Sequence, residues 1–207
     1  MNQTITKYSA SFTAGSLLLD EITRVLSFLL NDEIEEKRSE IINKNIIKIN
    51  SESARKRVLQ EIRKRNKSVD KSVWQMFESS VQAERKILMF YAVVKTYPLI
   101  ADFMREVILN KWKSLKRDFE ERDIEIFLDK KSTEHPEIEM WSKTTSAKVI
   151  QVIQRMLKES GLLTGNKLNS LEASNHFWRF FIQVDDLWFL ELALLNKEQR
   201  EIIIETL

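Results

Sequence analysis

Apolar residues recur every three or four positions along most of the chain, which is the spacing of one buried face of a helix. The pattern predicts a first helix, capped by Ser11 or Thr13 and running to about Leu30. Asn31 is predicted to end that helix and to cap a second one, in which acidic residues come first and basic residues last. The N-terminal part of the chain is therefore expected to be helical throughout.

The central part of the chain has the strongest helical signals. Residues 81–97 are apolar over most of their length, which predicts a core helix. Pro98 fits the first turn of the next helix, and the sequence His-Pro-Glu at 135–137 predicts a short one. A helix ending at Gly161 has the clearest apolar stripe of all.

The composition supports an all-α fold. Only 3 glycines and 2 prolines occur in 207 residues, so the tight turns that join β-strands have almost no sequence signal. The length fits one large domain or two small ones that pack closely. The weakest helical pattern lies at 130–143, which divides the chain into an N-terminal region, residues 1–130, and a C-terminal region, residues 131–207.

The cysteine count and the hydropathy limit the possible classes of protein. There is no cysteine, which excludes disulfides, thiol catalysis and thiolate metal sites and is consistent with a reducing cytoplasm. No apolar run approaches the roughly 20 residues of a membrane span, and the N-terminus lacks the pattern of a signal peptide. We therefore expect a cytoplasmic protein with no membrane contact.

Positive charge is concentrated in one segment. Residues 51–69 contain seven lysines and arginines against two glutamates, although the whole chain carries only +2. A helix capped by Ser51 or Ser53 would pack through one apolar stripe and present a basic arc on the other side. Such a row of cations can displace several counterions from DNA, but many lysine-rich faces are simply solvated. The residues of this basic arc are Lys56, Arg57, Arg63, Lys64 and Lys67.

A second candidate surface lies on the helix that ends at Gly161. Thr144 or Thr145 is its predicted cap, and apolar residues from 149 to 157 make its buried stripe. Lys148, Gln151, Arg155 and Lys158 fall together on its outer face. Glutamine and arginine can contact base edges and lysine suits phosphates, as in helix-turn-helix or winged variants, but plain core packing gives the same pattern.

The sequence shows no catalytic motif. His135 and His176 lie far apart and have no ligand spacing, and a glycine-rich phosphate loop and a nucleophile elbow are both lacking. Asp185 and Asp186 are neighbours, so they would point in different directions on a helix. We expect no enzyme, no metal and no cofactor.

Aromatic residues are concentrated in the C-terminal tail. The segment 176–195 contains Trp178, Trp188 and Phe189, and charged residues interrupt it. It therefore fits a core segment, a docking surface for a partner protein or an interfacial helix better than a membrane span.

Five segments, in this order and spacing, resemble the BrxA family of BREX bacteriophage-exclusion systems. They are YSASFTAGSLLLDE (8–21), SARKRVLQEIRKR (53–65), QAERKILMFYAVVKTYPLIADFMREVI (82–108), HPEIE (135–139) and KVIQVIQRMLKESGLL (148–163). The resemblance covers about residues 8–163 and fades beyond 168, so the aromatic tail receives little support from it.

The resemblance implies an all-α protein with two helix-turn-helix-like elements that binds double-stranded DNA and has no assigned catalytic role. Through the matching segment at 53–65 it adds Arg55 and Arg65 to the candidate DNA-binding residues. Its implied partners are other BREX components, namely an adenine methyltransferase, an ATPase and a phosphatase-like protein. We therefore expect a non-enzymatic, monomeric DNA-binding protein that docks on the phosphate backbone through its two basic helices. The alternatives are an adaptor that assembles other defence proteins, with incidental nucleic-acid binding, and an RNA-binding protein.

Overall fold

Helices dominate residues 7–205, the part of the chain that the computed structural model describes. In chain order the α-helices are α1 (Leu19–Leu30), α2 (Arg38–Asn43), α3 (Glu52–Ser68), α4 (Ser72–Ser79), α5 (Gln82–Thr96), α6 (Pro98–Phe103), α7 (Asn110–Lys113), α8 (Glu121–Ser132), α9 (Pro136–Glu139), α10 (Lys143–Ser160), α11 (Asn175–Gln183), α12 (Trp188–Leu192) and α13 (Lys197–Glu205). A 3₁₀ turn, Ser11–Ala14, precedes α1, and a π-helical segment, Met104–Leu109, joins α6 to α7. The prediction of a mostly α-helical fold is confirmed.

Helix α5 forms the centre of the core. Every residue from Ile87 to Val94 is buried, as expected for a helix that is apolar on all sides. It contacts α1, α3, α4, α6 and α10, so both predicted basic helices pack on the same central element. Pro98 occupies the first turn of α6, as predicted.

The N-terminal helices are shorter than the sequence pattern predicts. Helix α1 begins at Leu19, because Leu18 has a left-handed backbone conformation (φ 59°) that a helix cannot continue. Its end at Leu30, with Asn31 as the C-cap, agrees with the prediction. The predicted second helix is mostly wrong, since the chain makes turns after Asn31 and becomes helical only at Arg38.

Serine side chains cap the two candidate helices. The Ser51 Oγ accepts a hydrogen bond from the Ala54 backbone N–H at 3.4 Å, which confirms one of the two predicted caps of α3. In α10 the cap is Ser142, whose Oγ accepts from the Thr145 N–H at 3.1 Å, so the predicted threonine caps are wrong by two or three positions.

A small hairpin follows α10, which the expected all-α fold did not include. Strand β1 (Leu163–Thr164) pairs in antiparallel register with β2 (Lys167–Leu168). A third segment lies along β2, since the Phe119 N–H donates to the Asn166 carbonyl and the Leu168 N–H donates to the Arg117 carbonyl, both at 2.8 Å. The hairpin is thus tied to the chain just before α8.

The aromatic tail is largely part of the core. Trp178 and Phe189 are buried, and Trp188 is half-buried with its indole N–H donating to the Asp186 carboxylate at 2.6 Å. That carboxylate also accepts hydrogen bonds from Tyr91 and Lys95 on α5. The tail therefore closes the core over α5.

No single helix within residues 7–205 has the length and hydropathy of a membrane span. The pair formed by Gln82–Thr96 and Pro98–Lys113 meets the criterion by length and composition alone, and its two arms are bent by 107°.

Candidate nucleic-acid interface

The outer face of α10 carries all four of its predicted polar residues in solvent. Val149, Val152, Ile153, Met156 and Leu157 are buried, which confirms the predicted stripe. Lys148, Gln151, Arg155 and Lys158 are exposed on the opposite side. The sequence analysis therefore identified which face of α10 is available to a partner.

Two of these exposed cations have polar partners on the same helix. The Lys148 Nζ donates to the Gln151 Oε1 at 2.8 Å, and the Arg155 Nε donates to the Glu159 Oε1 at 2.6 Å. Glu159 also accepts a hydrogen bond from the Leu17 N–H at 3.1 Å. Burial raises the pKa of Glu159, but hydrogen bonds from the Leu17 N–H and the Arg155 guanidinium help to hold the pKa below its usual range. Lys158 has no ion-pair partner among the described residues.

The surface of the basic helix α3 carries less unpaired positive charge than its sequence predicts, because acidic residues lie beside several of its cations. Glu52 pairs with Lys56 at 2.6 Å, and Glu35, which lies in the turns before α2, pairs with Arg63 and lies 3.6 Å from the Lys67 Nζ. The hydrogen bond from Arg63 is the main cause of the lowered pKa of Glu35. Acids therefore neutralise part of the predicted arc.

Three other candidate residues of α3 differ in their environments. The Arg55 guanidinium donates to the backbone carbonyls of residues 49 and 50, at 2.7 and 3.0 Å, so it closes the loop before α3. The Lys64 Nζ donates to the Ser11 Oγ at 2.8 Å and is partly buried. Arg57 is exposed, and within residues 7–205 it has no ion-pair partner.

The structure corrects the expectation for Arg65. Its side chain is fully buried, with its Nε 2.9 Å from the Glu61 Oε1 and its terminal nitrogens donating to three backbone carbonyls. A residue enclosed in this way cannot contact DNA in this conformation. The signal was present in the sequence, because at about 100° per residue Arg65 falls on the same side of the helix as Val58 and Val69.

Among residues 7–205, the lining of the cleft between α3 and α10 includes no charged residue of α3. A cleft of about 540 Å³ lies between the two helices, and its lining includes Ala54 and Val58 of α3 with Arg155 and Glu159 of α10. Among the described residues that line it, α3 contributes only apolar side chains. The two predicted surfaces are thus neighbours across α5 rather than the walls of one groove.

The residues considered for catalysis do not form a site. His135 stacks on Tyr8 with ring centroids 3.8 Å apart and is buried, whereas His176 is exposed. Asp186 is buried in the core while Asp185 is exposed. Within the described part of the chain, no group of three or more histidines and acids is placed to hold a metal ion.

The sequence matches the BrxA family over residues 6–174, which is most of the chain. The chain belongs to the BrxA family. The match includes α3, α10 and the hairpin, and it ends at Ser174, the N-cap of α11. The last three helices therefore lie outside the BrxA match, in agreement with the fading resemblance beyond residue 168.

Curated relatives are similar at low identity, and each is named "BREX protein BrxA". The protein of Escherichia coli O9:H4 (strain HS) is 26% identical over 118 residues, which is 57% of this chain and 55% of the relative. That of Bacillus cereus (strain H3081.97) is 28% identical over 118 residues, 57% of this chain and 59% of the relative. That of Paramagnetospirillum magneticum is 24% identical over 169 residues, which is 81% of this chain and 84% of the relative. The alignments thus span little more than half the length of the first two relatives.

A solved structure has the same fold. The crystal structure of an uncharacterized protein from Magnetospirillum magneticum superposes with a TM-score of 0.76 at 21% identity. The superposition covers 91% of this chain and 98% of the other one. This BrxA fold is therefore shared along almost the whole length of both chains.

Proposed function

We propose that the chain is a non-enzymatic, double-stranded-DNA-binding component of a BREX phage-defence system, acting in the cytoplasm with other BREX proteins. The observation that carries the proposal is the outer face of α10, which presents Lys148, Gln151, Arg155 and Lys158 to solvent beside a hairpin. Family membership supports the defence role, and the chemistry of this face supports DNA as the ligand.

The order of elements around α10 supports the interpretation of a winged helix-turn-helix. Helix α8 contacts α9 and α10, the hairpin follows α10, and the segment before α8 pairs with the hairpin. In this interpretation α10 enters the major groove, where glutamine and arginine can contact base edges. The exposed turn residues Gly165 and Asn166 would then lie near the adjacent backbone.

Helix α3 would contribute a second, weaker contact. Arg57 is exposed and unpaired among the described residues, and Lys56 and Lys67 are exposed with acidic partners. Surface ion pairs contribute only about 0–1 kcal/mol, so these lysines can exchange a carboxylate for a DNA phosphate at little cost. The mechanism is therefore phosphate docking centred on α10, with α3 adding positive potential.

A charge-reversal experiment tests this proposal. Fluorescence anisotropy with a labelled 20-base-pair duplex would compare the wild-type protein with the double variant Lys148→Glu/Lys158→Glu. We expect at least a tenfold loss of affinity, because both lysines are exposed and lie on the same face. The control is Lys197→Glu, which makes the same kind of change on α13, and we expect its affinity to stay within twofold. Wild-type affinity in a double variant with native circular dichroism would refute the proposal.

The adaptor alternative has lost two of its expected anchors. Trp178 is 2% exposed and Phe189 is fully buried, so neither offers a surface to a partner protein. A parallel titration with RNA of the same length tests the other alternative, an RNA-binding protein. Preference for RNA over DNA would contradict the winged-helix interpretation.

A further inference from the structure

A hollow of about 310 Å³ lies where the C-terminal half of α3 meets the N-terminal segment and the start of α6. Three lysines line it, Lys7, Lys64 and Lys67, together with the hydroxyl-bearing residues Ser9, Ser68 and Thr96. Among the described residues that line it there is no carboxylate. Ser68 and Thr96 donate their hydroxyl protons to the backbone carbonyls of residues 64 and 92, so the hollow offers a ligand its three ammonium groups and the Ser9 hydroxyl.

Within residues 7–205, no carboxylate forms an ion pair with Lys64. Its Nζ donates to the Ser11 Oγ at 2.8 Å, and the Ser11 Oγ lies 3.0 Å from the Tyr97 hydroxyl. Tyr97 donates its single proton to Glu61, so it must accept from Ser11, and Ser11 in turn accepts from Lys64. Glu61, the last acceptor in this chain of hydrogen bonds, is already paired with Arg65.

This chain of hydrogen bonds uses one ammonium hydrogen of Lys64 and leaves the other two for a ligand. A lysine ammonium has three donors, and within residues 7–205 the Ser11 contact is its one side-chain hydrogen bond. Since a partly buried charge is costly without a counter-charge, the position favours an anion in the hollow.

Lys67 is placed to approach the same anion. It follows Lys64 by three residues, so the two side chains lie on one face of α3. Its side chain is 70% exposed and its Nζ is 3.6 Å from the Glu35 Oε1, while Arg63 binds the other oxygen of Glu35. Because this ion pair with Glu35 is long and exposed, Lys67 can exchange it at little cost for an ion pair with the anion.

We infer that this lysine hollow binds a phosphate group. A phosphate has the negative charge and the several acceptor oxygens that three ammonium groups and the Ser9 hydroxyl can satisfy together. The phosphate could belong to a DNA backbone or to a free phosphate compound. The first source rests on the proposed function, whereas the second is independent of it.

The site is tested by titrating the ¹⁵N-labelled full-length protein with inorganic phosphate and, separately, with deoxyadenosine 5′-monophosphate. Backbone amides of Ser9, Ser68 and Leu99 report on the hollow. We expect saturable shifts in the wild-type protein and at least tenfold weaker binding in Lys64→Gln/Lys67→Gln. The matched control, Lys48→Gln/Lys197→Gln, removes the same charge from exposed positions elsewhere and should bind within twofold of wild type.

The outcomes separate the site from the DNA interface. Saturable shifts that the Lys64→Gln/Lys67→Gln variant loses support the site, whereas no shift, or a shift retained by that variant, overturns it. If Lys64→Gln perturbs the fold, Lys7→Gln/Lys67→Gln changes only exposed side chains and must weaken binding instead.

A short duplex identifies the source of the phosphate. If the duplex shifts the same amides and inorganic phosphate reverses those shifts, the ligand is a phosphate of the DNA backbone. If the nucleotide shifts these amides and the duplex does not, the ligand is a free phosphate compound. The Lys148→Glu/Lys158→Glu variant should keep its phosphate shifts even where it loses DNA affinity. Loss of those shifts would overturn the hollow as a separate site, whatever becomes of the DNA interface.

Discussion

Arg65 and Glu61, four residues apart on α3, form an ion pair with both side chains buried and with the Arg65 Nε 2.9 Å from the Glu61 Oε1. The other guanidinium nitrogens donate to the carbonyls of residues 15, 16 and 17, at 2.7 to 3.1 Å. These contacts attach the segment before α1 to α3. A residue that the family resemblance counts among the candidate DNA contacts is therefore a cross-link in the core.

Replacing Arg65 should destabilise the protein strongly. In Arg65→Met the Glu61 carboxylate stays buried without its partner and three carbonyls lose their donor, so we expect a loss of about 3–5 kcal/mol in the free energy of unfolding. Urea denaturation followed by circular dichroism measures the change. Arg57→Met is the matched control, because Arg57 is exposed on the same helix, and it should shift the free energy by less than about 0.5 kcal/mol. Equal effects in the two variants would contradict the structural role of Arg65.

The sequence pattern predicted the core helices well, because burial alone decides them. Helix α5, the proline start of α6 and the apolar stripe of α10 all follow from hydrophobic spacing. The hairpin after α10 was missed although Gly165-Asn166 is a recognised two-residue turn signal. The start of α1 was missed because the left-handed conformation of Leu18 depends on packing and not on local propensity.

The candidate site was only partly predictable for a different reason. A helical wheel gives the direction of each side chain on α10, and all four predicted residues are indeed exposed. It cannot show that Glu35, which is 28 residues from Arg63 in sequence, reaches across to α3. Charge balance between distant segments is a tertiary property, so the net positive charge of α3 overstated its free surface charge.

The three tyrosines should resist ionisation at the pH where exposed tyrosines titrate. Burial raises the pKa of Tyr8, Tyr91 and Tyr97 well above the usual value of about 10, and each hydroxyl also donates to a carboxylate, which raises it further. A raised pKa means that the folded state favours the neutral form, so this contribution to stability is present below pH 10 and is lost as the pH rises above it.

A spectrophotometric titration checks this expectation. Absorbance at 295 nm should stay flat through pH 10 and rise only together with the loss of the far-ultraviolet circular dichroism signal. The unfolded protein in 8 M urea is the control, and its tyrosines should titrate near their usual pKa of about 10. A normal titration in the native protein would show that the tyrosines are more accessible than the structure has them.

Gly15 should be intolerant of a side chain although its backbone is extended (φ 178°). A Cβ built at this position would lie 2.2 Å from the Leu18 Cδ2 and 2.9 Å from the Leu18 Cγ. Because Leu18 is itself buried, it has little room to move, and we expect Gly15→Ala to cost about 1–3 kcal/mol in the free energy of unfolding.

A double-mutant cycle identifies the cause of that cost. In a Leu18→Ala background the colliding atoms are absent, so Gly15→Ala should cost markedly less than in the wild-type protein. Additive effects of the two substitutions would rule out this clash. Gly165→Ala provides a contrast, because no atom of the described residues lies within 4 Å of its Cβ position. Its φ is +59°, so a cost of about 1–2 kcal/mol there would reflect backbone strain alone.

The salt dependence of DNA binding should separate the roles of Lys158 and Gln151 on α10. If about six phosphates are contacted, affinity should fall by about 10³-fold between 50 and 200 mM salt, because each contact releases condensed counterions. Lys158→Gln should weaken binding to all duplexes alike and reduce the slope of log K against log salt concentration by about 1. Gln151→Ala removes no charge, so it should leave that slope unchanged. Its effect on affinity should differ between duplexes of different sequence, because Gln151 would contact base edges.

Anisotropy titrations at four salt concentrations on two unrelated duplexes measure both the slope and the difference in affinity between duplexes. A slope near zero in the wild-type protein would contradict phosphate docking itself, whereas equal slopes for Lys158→Gln and the wild type would exclude Lys158 from the interface.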